Sequence, residues 1–232
     1  TWGEDPFLAG YLGGAFVRGL QGSDPKYLKT VSTVKHFAVH SGPEPERHGF
    51  NAIVSERDLR ETYLPAFRST LLDSKAVGVM CAYNAVNGEP ACMNTTLMRG
   101  ILRGEWKFSG HVVSDCGAVQ DIWKGHKYFT SEVEAASAAV RNGTDLTCGD
   151  EYPSLNDAVK RGLISEKEID DAVRNLFRIR FRLGMFDPPS VVAWTKIPFS
   201  ANDSAAHHAL SLEAARKSLV LLRNESNALP LA

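Results

Sequence analysis

No run in this 232-residue chain approaches the ~18 uninterrupted apolar residues of a membrane-spanning helix. Neither sign of charge is in excess: 26 Lys and Arg stand against 27 Asp and Glu, a net charge of −1. That balance removes the electrostatic footprint of a nucleic-acid binder and any polybasic membrane patch, so neither partner is expected. Cysteine is scarce. Four are too few for a disulfide scaffold, and no C-x-x-C pair suggests zinc. No glycine-rich loop follows an apolar strand, which counts against a dinucleotide site, and no H-E-x-x-H motif occurs. The opening residues, Thr1-Trp2-Gly3-Glu4-Asp5-Pro6, hold no basic region followed by an apolar run, so no signal peptide is read there.

What is present is regular. A helix is expected from Phe7 to Leu20, then a β-branched run Val31-Ser32-Thr33-Val34 leading into Lys35-His36-Phe37. Ser55 and Asp58 make a capping-box-like start to a long helix, whose Leu59, Tyr63, Phe67 and Leu71 fall on one face. A buried strand is expected over 76–83, a helix from Thr96 to Trp106, and a strand over 111–115. A helix from Ser131 to Arg141, a strand-like Asp145-Leu146-Thr147 and a helix ending near Leu163 come next. Ser165 and Glu168 open a last helix that stops at Gly184, before Pro188-Pro189 breaks the chain. The tail carries a further helix and the run Ser218–Asn224.

Strands alternating with helices argue for an α/β fold with a parallel sheet. Lys35-His36, Tyr83-Asn84, Asp115 and Asp145 with Thr147 all fall at the C-terminal ends of apolar strands. Those positions ring the mouth of a (β/α)₈ barrel. Only four βα units can be counted, so the expectation is a partial (β/α)₈ TIM-type barrel over 1–187, followed over 188–232 by a linker and the start of a second domain.

Asp115 is the sharpest chemical candidate, since a strand-end carboxylate among donors can attack an electrophilic sugar carbon; the plain alternative is a capping aspartate. Lys35 admits a second chemistry, a Schiff base with a carbonyl substrate, and a third possibility is a sugar-binding fragment without catalysis. Neighbours on a strand point to opposite faces, so Lys35 and His36 reach one ligand only where the strand has ended. His36, His40 and His48 raise the question of a metal, but Ser41-Gly42-Pro43 stops the strand, and solvent-facing or structural histidines are the default. No metal and no cofactor are expected. Met80 and Tyr83 flank Cys81 near the mouth, and Trp2, Trp106, Trp123 and Trp194 are aromatic surfaces for sugar stacking or for packing. Cys81 and Cys92, and Cys116 and Cys148, are suggestive pairs, though spacing leaves three full pairings and four free thiols open. Sequons begin at Asn94, Asn142, Asn202 and Asn224.

Taken together, Trp2-Gly3-Glu4-Asp5-Pro6, Lys35-His36-Phe37, Ser55-Glu56-Arg57-Asp58-Leu59-Arg60-Glu61, Met80-Cys81-Ala82-Tyr83-Asn84 with Asn87-Gly88, Ser114-Asp115-Cys116 and Asp145-Leu146 with Cys148-Gly149 resemble glycoside hydrolase family 3, over nearly the whole chain. The resemblance implies a retaining exo-β-glycosidase on β-xylosides or β-glucosides, with Asp115 as nucleophile. Lys35, His36 and Arg47 would hold the terminal sugar, with Met80 and Tyr83 lining its pocket. Where β-glucosidases of the family place Trp after the nucleophile, this chain has Cys116. That resembles the xylosidase branch, where this cysteine pairs with one resembling Cys148, and it tilts the expectation towards β-xylosides. The hexosaminidase branch uses a loop histidine as acid/base; His48 lies near that place, within Glu46-Arg47-His48 rather than the branch's Asp-Ser-His pattern. In two-domain members the acid/base is a Glu of the second domain, so the resemblance also implies a fragment lacking its acid. Glu4, Glu44, Glu46 and Glu56 better suit capping or surface roles. Bridged cysteines would place the protein outside the cell or in a periplasm.

Overall fold

The computed structural model describes residues 2–40 and 42–231; Thr1, Ala232 and Ser41, expected to help end the first strand, lie outside them. The chain divides into two units, Thr1–Pro188 and Pro189–Ala232.

In the first unit, helix Pro6–Gln21 starts where Asp5 Oδ1 accepts the Phe7 N–H at 2.9 Å, with Pro6 in the first turn, where a missing N–H costs nothing. The Ser55 cap also forms, its Oγ accepting the Asp58 N–H at 3.0 Å. Residues 56–73 are helical but not one regular α-helix: the turns Leu59–Tyr63 and Ser69–Asp73 are π-type. Pro65 explains the first. It has no N–H to donate and its ring crowds the turn before it, so that turn widens and the Leu64 N–H reaches Leu59 O at 3.0 Å. The expected face survives: Leu59 and Leu71 are buried, and Tyr63 and Phe67 pack half-buried on the same core.

Among the described residues six strands form: β1 Thr33–Phe37, β2 Asn51–Ala52, β3 Gly78–Cys81, β4 Ala85–Val86, β5 Glu89–Pro90 and β6 His111–Ser114. β1, β3 and β6 lie side by side in parallel with β3 central, and Leu146 extends the arc through a parallel bridge to Val113. Successive parallel strands with helices between them form the wall of a TIM-type barrel. One face of the arc carries Val79 and Val112, both fully buried against the helices with Leu97, Met98, Ile101 and Leu102. Phe37, also fully buried, meets Phe67 and Trp106 edge-on at 5.2 and 6.0 Å. Each such side chain contributes about 1.5–3 kcal/mol of transfer free energy. The other face carries Thr33, Gly78 and His111 in one layer; a Cβ at Gly78 would lie 2.6 Å from Thr33 Oγ1 and 2.9 Å from His111 Cε1.

β3 is shorter than the run 76–83 because the Val77 N–H is taken by Gln21 Oε1 at 3.1 Å and Tyr83 has already left the ladder. A second small sheet was not expected. β2 pairs parallel with β4, and β4 antiparallel with β5, around Asn87-Gly88, both with positive φ. Asn-Gly suits such a hairpin because both central residues need φ > 0.

One expected mouth residue is elsewhere. Asp145 is buried in an ion pair, its Oδ2 accepting from Arg103 Nη2 at 2.8 Å and from the Val112 N–H at 2.7 Å, while Oδ1 accepts from Asn175 Nδ2 at 2.9 Å. It ties β6 to the Thr95–Glu105 and Glu166–Arg182 helices. The latter opens with the expected capping box of Ser165 and Glu168. Asn94 and Asn142, both sequon asparagines, are buried, and Asn94 caps a helix through the Leu97 N–H at 2.9 Å.

The second unit holds short 3₁₀ turns and helix Ala205–Ser218, capped by Ser204. That helix buries none of its residues, and the run after it forms no strand. Among the described residues, no helix is long and apolar enough to cross a membrane.

Candidate active site

Parallel pairing sets the ends of β1, β3 and β6 beside one another: Phe37 opposes Cys81, and Cys81 opposes Ser114. The residues just before or after those pairs therefore converge. The Asp115 N–H donates to Cys81 O at 3.2 Å, which holds the end of β6 against β3. Its nearly buried carboxylate is fixed at both oxygens. Oδ1 accepts the Cys116 N–H at 2.8 Å, and Oδ2 lies 3.0 Å from His36 Nε2. A carboxylate only accepts, so Nε2 carries the shared proton. Burial, the largest influence, holds His36 below its ordinary value of 6.5, against the pull of Asp115; His40, Lys35 and Arg47 push the same way as burial. A neutral imidazole still supplies the Nε2–H.

Tyr83 stands over this pair. Its hydroxyl donates to Cys116 O at 2.8 Å, and burial followed by the charge of Asp115 raises it above 10.0. Three groups crowd its ring: the Arg47 guanidinium at 5.0 Å, and the His48 and His40 rings at 4.6 and 6.4 Å. Arg47 also pairs with Glu44 Oε1 at 2.6 Å, and its Nε donates to His48 Nε2 at 3.2 Å. Met80 sits half-buried on β3, opposite Val113 and on the face away from Val79 and Cys81.

Lys35 stands apart from this cluster in its contacts. It is exposed and, among the described residues, borders a groove with Trp2, Phe67 and Thr70. The register of β1 is irregular between Val34 and Phe37, which interrupts the strict alternation that would send Lys35 and His36 to opposite faces. The Lys35–His36 and Phe37–Ala38 peptide bonds are both cis.

The cysteines pair as Cys81–Cys92 and Cys116–Cys148. The second bridge adjoins the carboxylate. The Gly117 N–H donates to Cys148 O at 2.7 Å, and the Cys148 N–H donates to Ser114 Oγ at 2.9 Å. Gly117 has φ of 81°, the left-handed turn that follows Cys116. Behind the bridge, Thr147 Oγ1 donates to the buried Glu151 at 2.7 Å.

The structure thus brings together Asp115, His36, Tyr83 and Arg47. It adds residues that sequence reasoning missed: Asp121, whose Oδ2 accepts from His48 Nδ1 at 2.7 Å, His126, whose Nε2 donates to Tyr83 O at 2.7 Å, and Glu151. Nothing local marks Asp121 among the other helix acids; only the fold shows its partner. Among the described residues no three His, Cys, Asp or Glu side chains converge as metal ligands. The arrangement offers one held carboxylate inside a rim of hydrogen-bond donors and aromatic rings, which suits attack on a sugar carbon.

The chain is 48% identical over its whole length to a xylan 1,4-beta-xylosidase of Xylanibacter ruminicola, of which it spans 27%. Among solved structures it superposes on a GH3 exo-beta-xylosidase (XlnD) in complex with a xylobiose aziridine activity-based probe, with a TM-score of 0.92 and 34% identity over 99% of this chain and 31% of that one. A beta-glucosidase from Listeria innocua in complex with isofagomine gives a TM-score of 0.88 and 34% identity, over 99% of this chain and 33% of that one. The chain therefore spans about a third or less of the length of these relatives. Residues 1–179 match the glycosyl hydrolase family 3 N-terminal domain, and the chain belongs to that family.

Proposed function

We propose that this chain is the nucleophile-bearing part of a retaining exo-β-glycosidase, cleaving terminal β-xylosyl or β-glucosyl residues through a covalent intermediate on Asp115. The observation that carries this is the Asp115 carboxylate, held by the Cys116 N–H and His36 at the convergence of three strand ends. Asp115 attacks the anomeric carbon as the aglycone oxygen leaves; that oxygen takes a proton from an acid outside this chain. Water then releases the sugar with net retention. His36 and Arg47 bind hydroxyls of the terminal sugar, and Met80 and Tyr83 line its pocket; Lys35, which borders a groove outside this cluster, is left out of the sugar contacts. None of the candidate glutamates suits the acid: Glu44 is paired to Arg47 and Glu56 to Arg60, while Glu4 and Glu46 are exposed at the surface.

Cys116, bridged to Cys148, puts a small rigid group where a bulkier residue would widen the sugar platform, which favours the smaller xylosyl unit. The relatives' names point the same way, two of the three compared being xylosidases. A Schiff base on Lys35 lacks support, because that lysine is exposed rather than desolvated. Two disulfides favour an oxidising location, extracellular or periplasmic.

The test is mass spectrometry after incubation with a 2-fluoro dinitrophenyl β-xyloside and the matching glucoside, whose leaving group needs little acid assistance. A sugar adduct on Asp115, faster with the xyloside, is expected. An adduct on another residue, or none on the folded full-length protein, would sink the assignment.

A further inference from the structure

The segment that follows Asp115 turns back over the sugar-binding candidates. Asp121, nearly buried at the end of the short helix Ala118–Asp121, accepts the His48 Nδ1–H at 2.7 Å. That contact decides the tautomer of His48. With its one proton on Nδ1, Nε2 is an acceptor, and it takes the Arg47 Nε–H at 3.2 Å. Arg47, so held, lies over the Tyr83 ring, and the Tyr83 hydroxyl reaches the Cys116 carbonyl beside the nucleophile. The same segment grips this cluster twice more. His126 Nε2 donates to Tyr83 O at 2.7 Å, and the backbone of Gly125 passes so close that an added Cβ would collide with the His48 carbonyl oxygen.

On the glycosidase reading above, we infer that Asp121 is a positioning residue for sugar binding. It acts through His48 to fix the guanidinium of Arg47, without itself touching substrate. Without the carboxylate, His48 is free to place its proton on Nε2, where it faces the Arg47 Nε–H donor to donor. Arg47 then loses its fixed direction and swings with Glu44 on the exposed side of the loop. The loss falls on substrate binding, because the nucleophile keeps both of its own contacts, with Cys116 and His36.

The experiment uses the full-length protein and a p-nitrophenyl β-xyloside, with formation of the 2-fluoroxylosyl adduct on Asp115 as the check on the underlying reading. Asp121→Ala is expected to raise KM about tenfold and leave kcat within about twofold, the signature of lost uniform binding. Half-exposed His48 tolerates truncation without disturbing the core, and His48→Ala is expected to reproduce the same rise. In an Arg47→Ala background, Asp121→Ala is expected to cost nothing further, since residues acting through one another do not add. An unchanged KM in His48→Ala, or full additivity of Asp121→Ala with Arg47→Ala, would overturn the positioning role while the wild-type adduct still stood. No adduct on wild-type Asp115 would overturn the glycosidase reading and this inference with it.

Discussion

His36 Nε2 lies 3.0 Å from Asp115 Oδ2, so a residue next to the end of one strand supplies a hydrogen bond to the carboxylate just past the end of another, two positions across the sheet. The two are far apart in sequence and meet only because β1 and β6 both pair with β3. A hydrogen bond to a charged acceptor is worth about 1.5–3 kcal/mol. His36→Leu should therefore lower kcat/KM by roughly 10- to 150-fold. His36→Gln, which places an amide N–H near the Nε2 position, should retain more activity than Leu. Steady-state kinetics on an aryl β-xyloside with both variants checks this; equal losses would show that the donated hydrogen bond is not what matters.

Stability should fall below neutral pH. Burial depresses His36 and His111 below 6.5, and at His111 it outweighs the backbone hydrogen bond to Val77 that pulls the other way. The unfolded chain then binds protons that the folded chain refuses, so stability rises with pH in that range. The contribution is fully present above 6.5 and is lost as pH falls through the lower folded values. His111 Nδ1 is buried and has no partner among the described residues, so His111→Phe should flatten part of the slope. Urea unfolding from pH 5 to 8 measures it; an unchanged slope would show that His111 takes up its proton as readily in the folded chain as in the unfolded one.

Asp145 should matter for folding rather than chemistry. Burial opposes the charge on both Asp145 and Arg103, yet the two are paired at 2.8 Å and Asp145 has further donors in Val112 and Asn175. Removing one member leaves the other buried and unpaired, at a cost of about 3–5 kcal/mol. Asp145→Ala should show that loss in the urea midpoint, and Asp145→Leu combined with Arg103→Met should recover much of it. A fully additive double variant would count against the pairing.

The Cys116–Cys148 bridge closes a loop of 32 residues and flanks the carboxylate. Replacing both cysteines with serine should cost about 2–4 kcal/mol of stability. Because Cys116 also gives its N–H to Asp115 and its carbonyl to Tyr83, the rate of 2-fluoroxylosyl labelling should drop as well. Loss of stability with an unchanged labelling rate would confine the bridge to a structural role.

Local patterns settled much of this protein before its tertiary structure entered. Ser55, Ser131 and Ser165 cap helices because a side-chain oxygen and a backbone N–H three residues on meet within one turn. The apolar runs around Val79 and Val112 read as buried strands, and Asp115 stood out because a carboxylate closing such a strand points to a barrel mouth. Asn87-Gly88 carried the turn chemistry of a hairpin, but strands of two residues have no period to read.

Other features belong to the fold alone. Asp145 is expected at the barrel mouth as Asp115 is, and only the packing of two helices against β6 decides that one carboxylate is buried against Arg103 while the other faces the cluster around His36 and Tyr83. Asp121 and His48 are 73 residues apart, and no spacing rule joins them. Capping and periodicity act within a turn or along one strand, so sequence contains them directly. The pairing of buried charges and the tautomer of a histidine depend on which distant groups share a small volume, and that is decided only when the strands align.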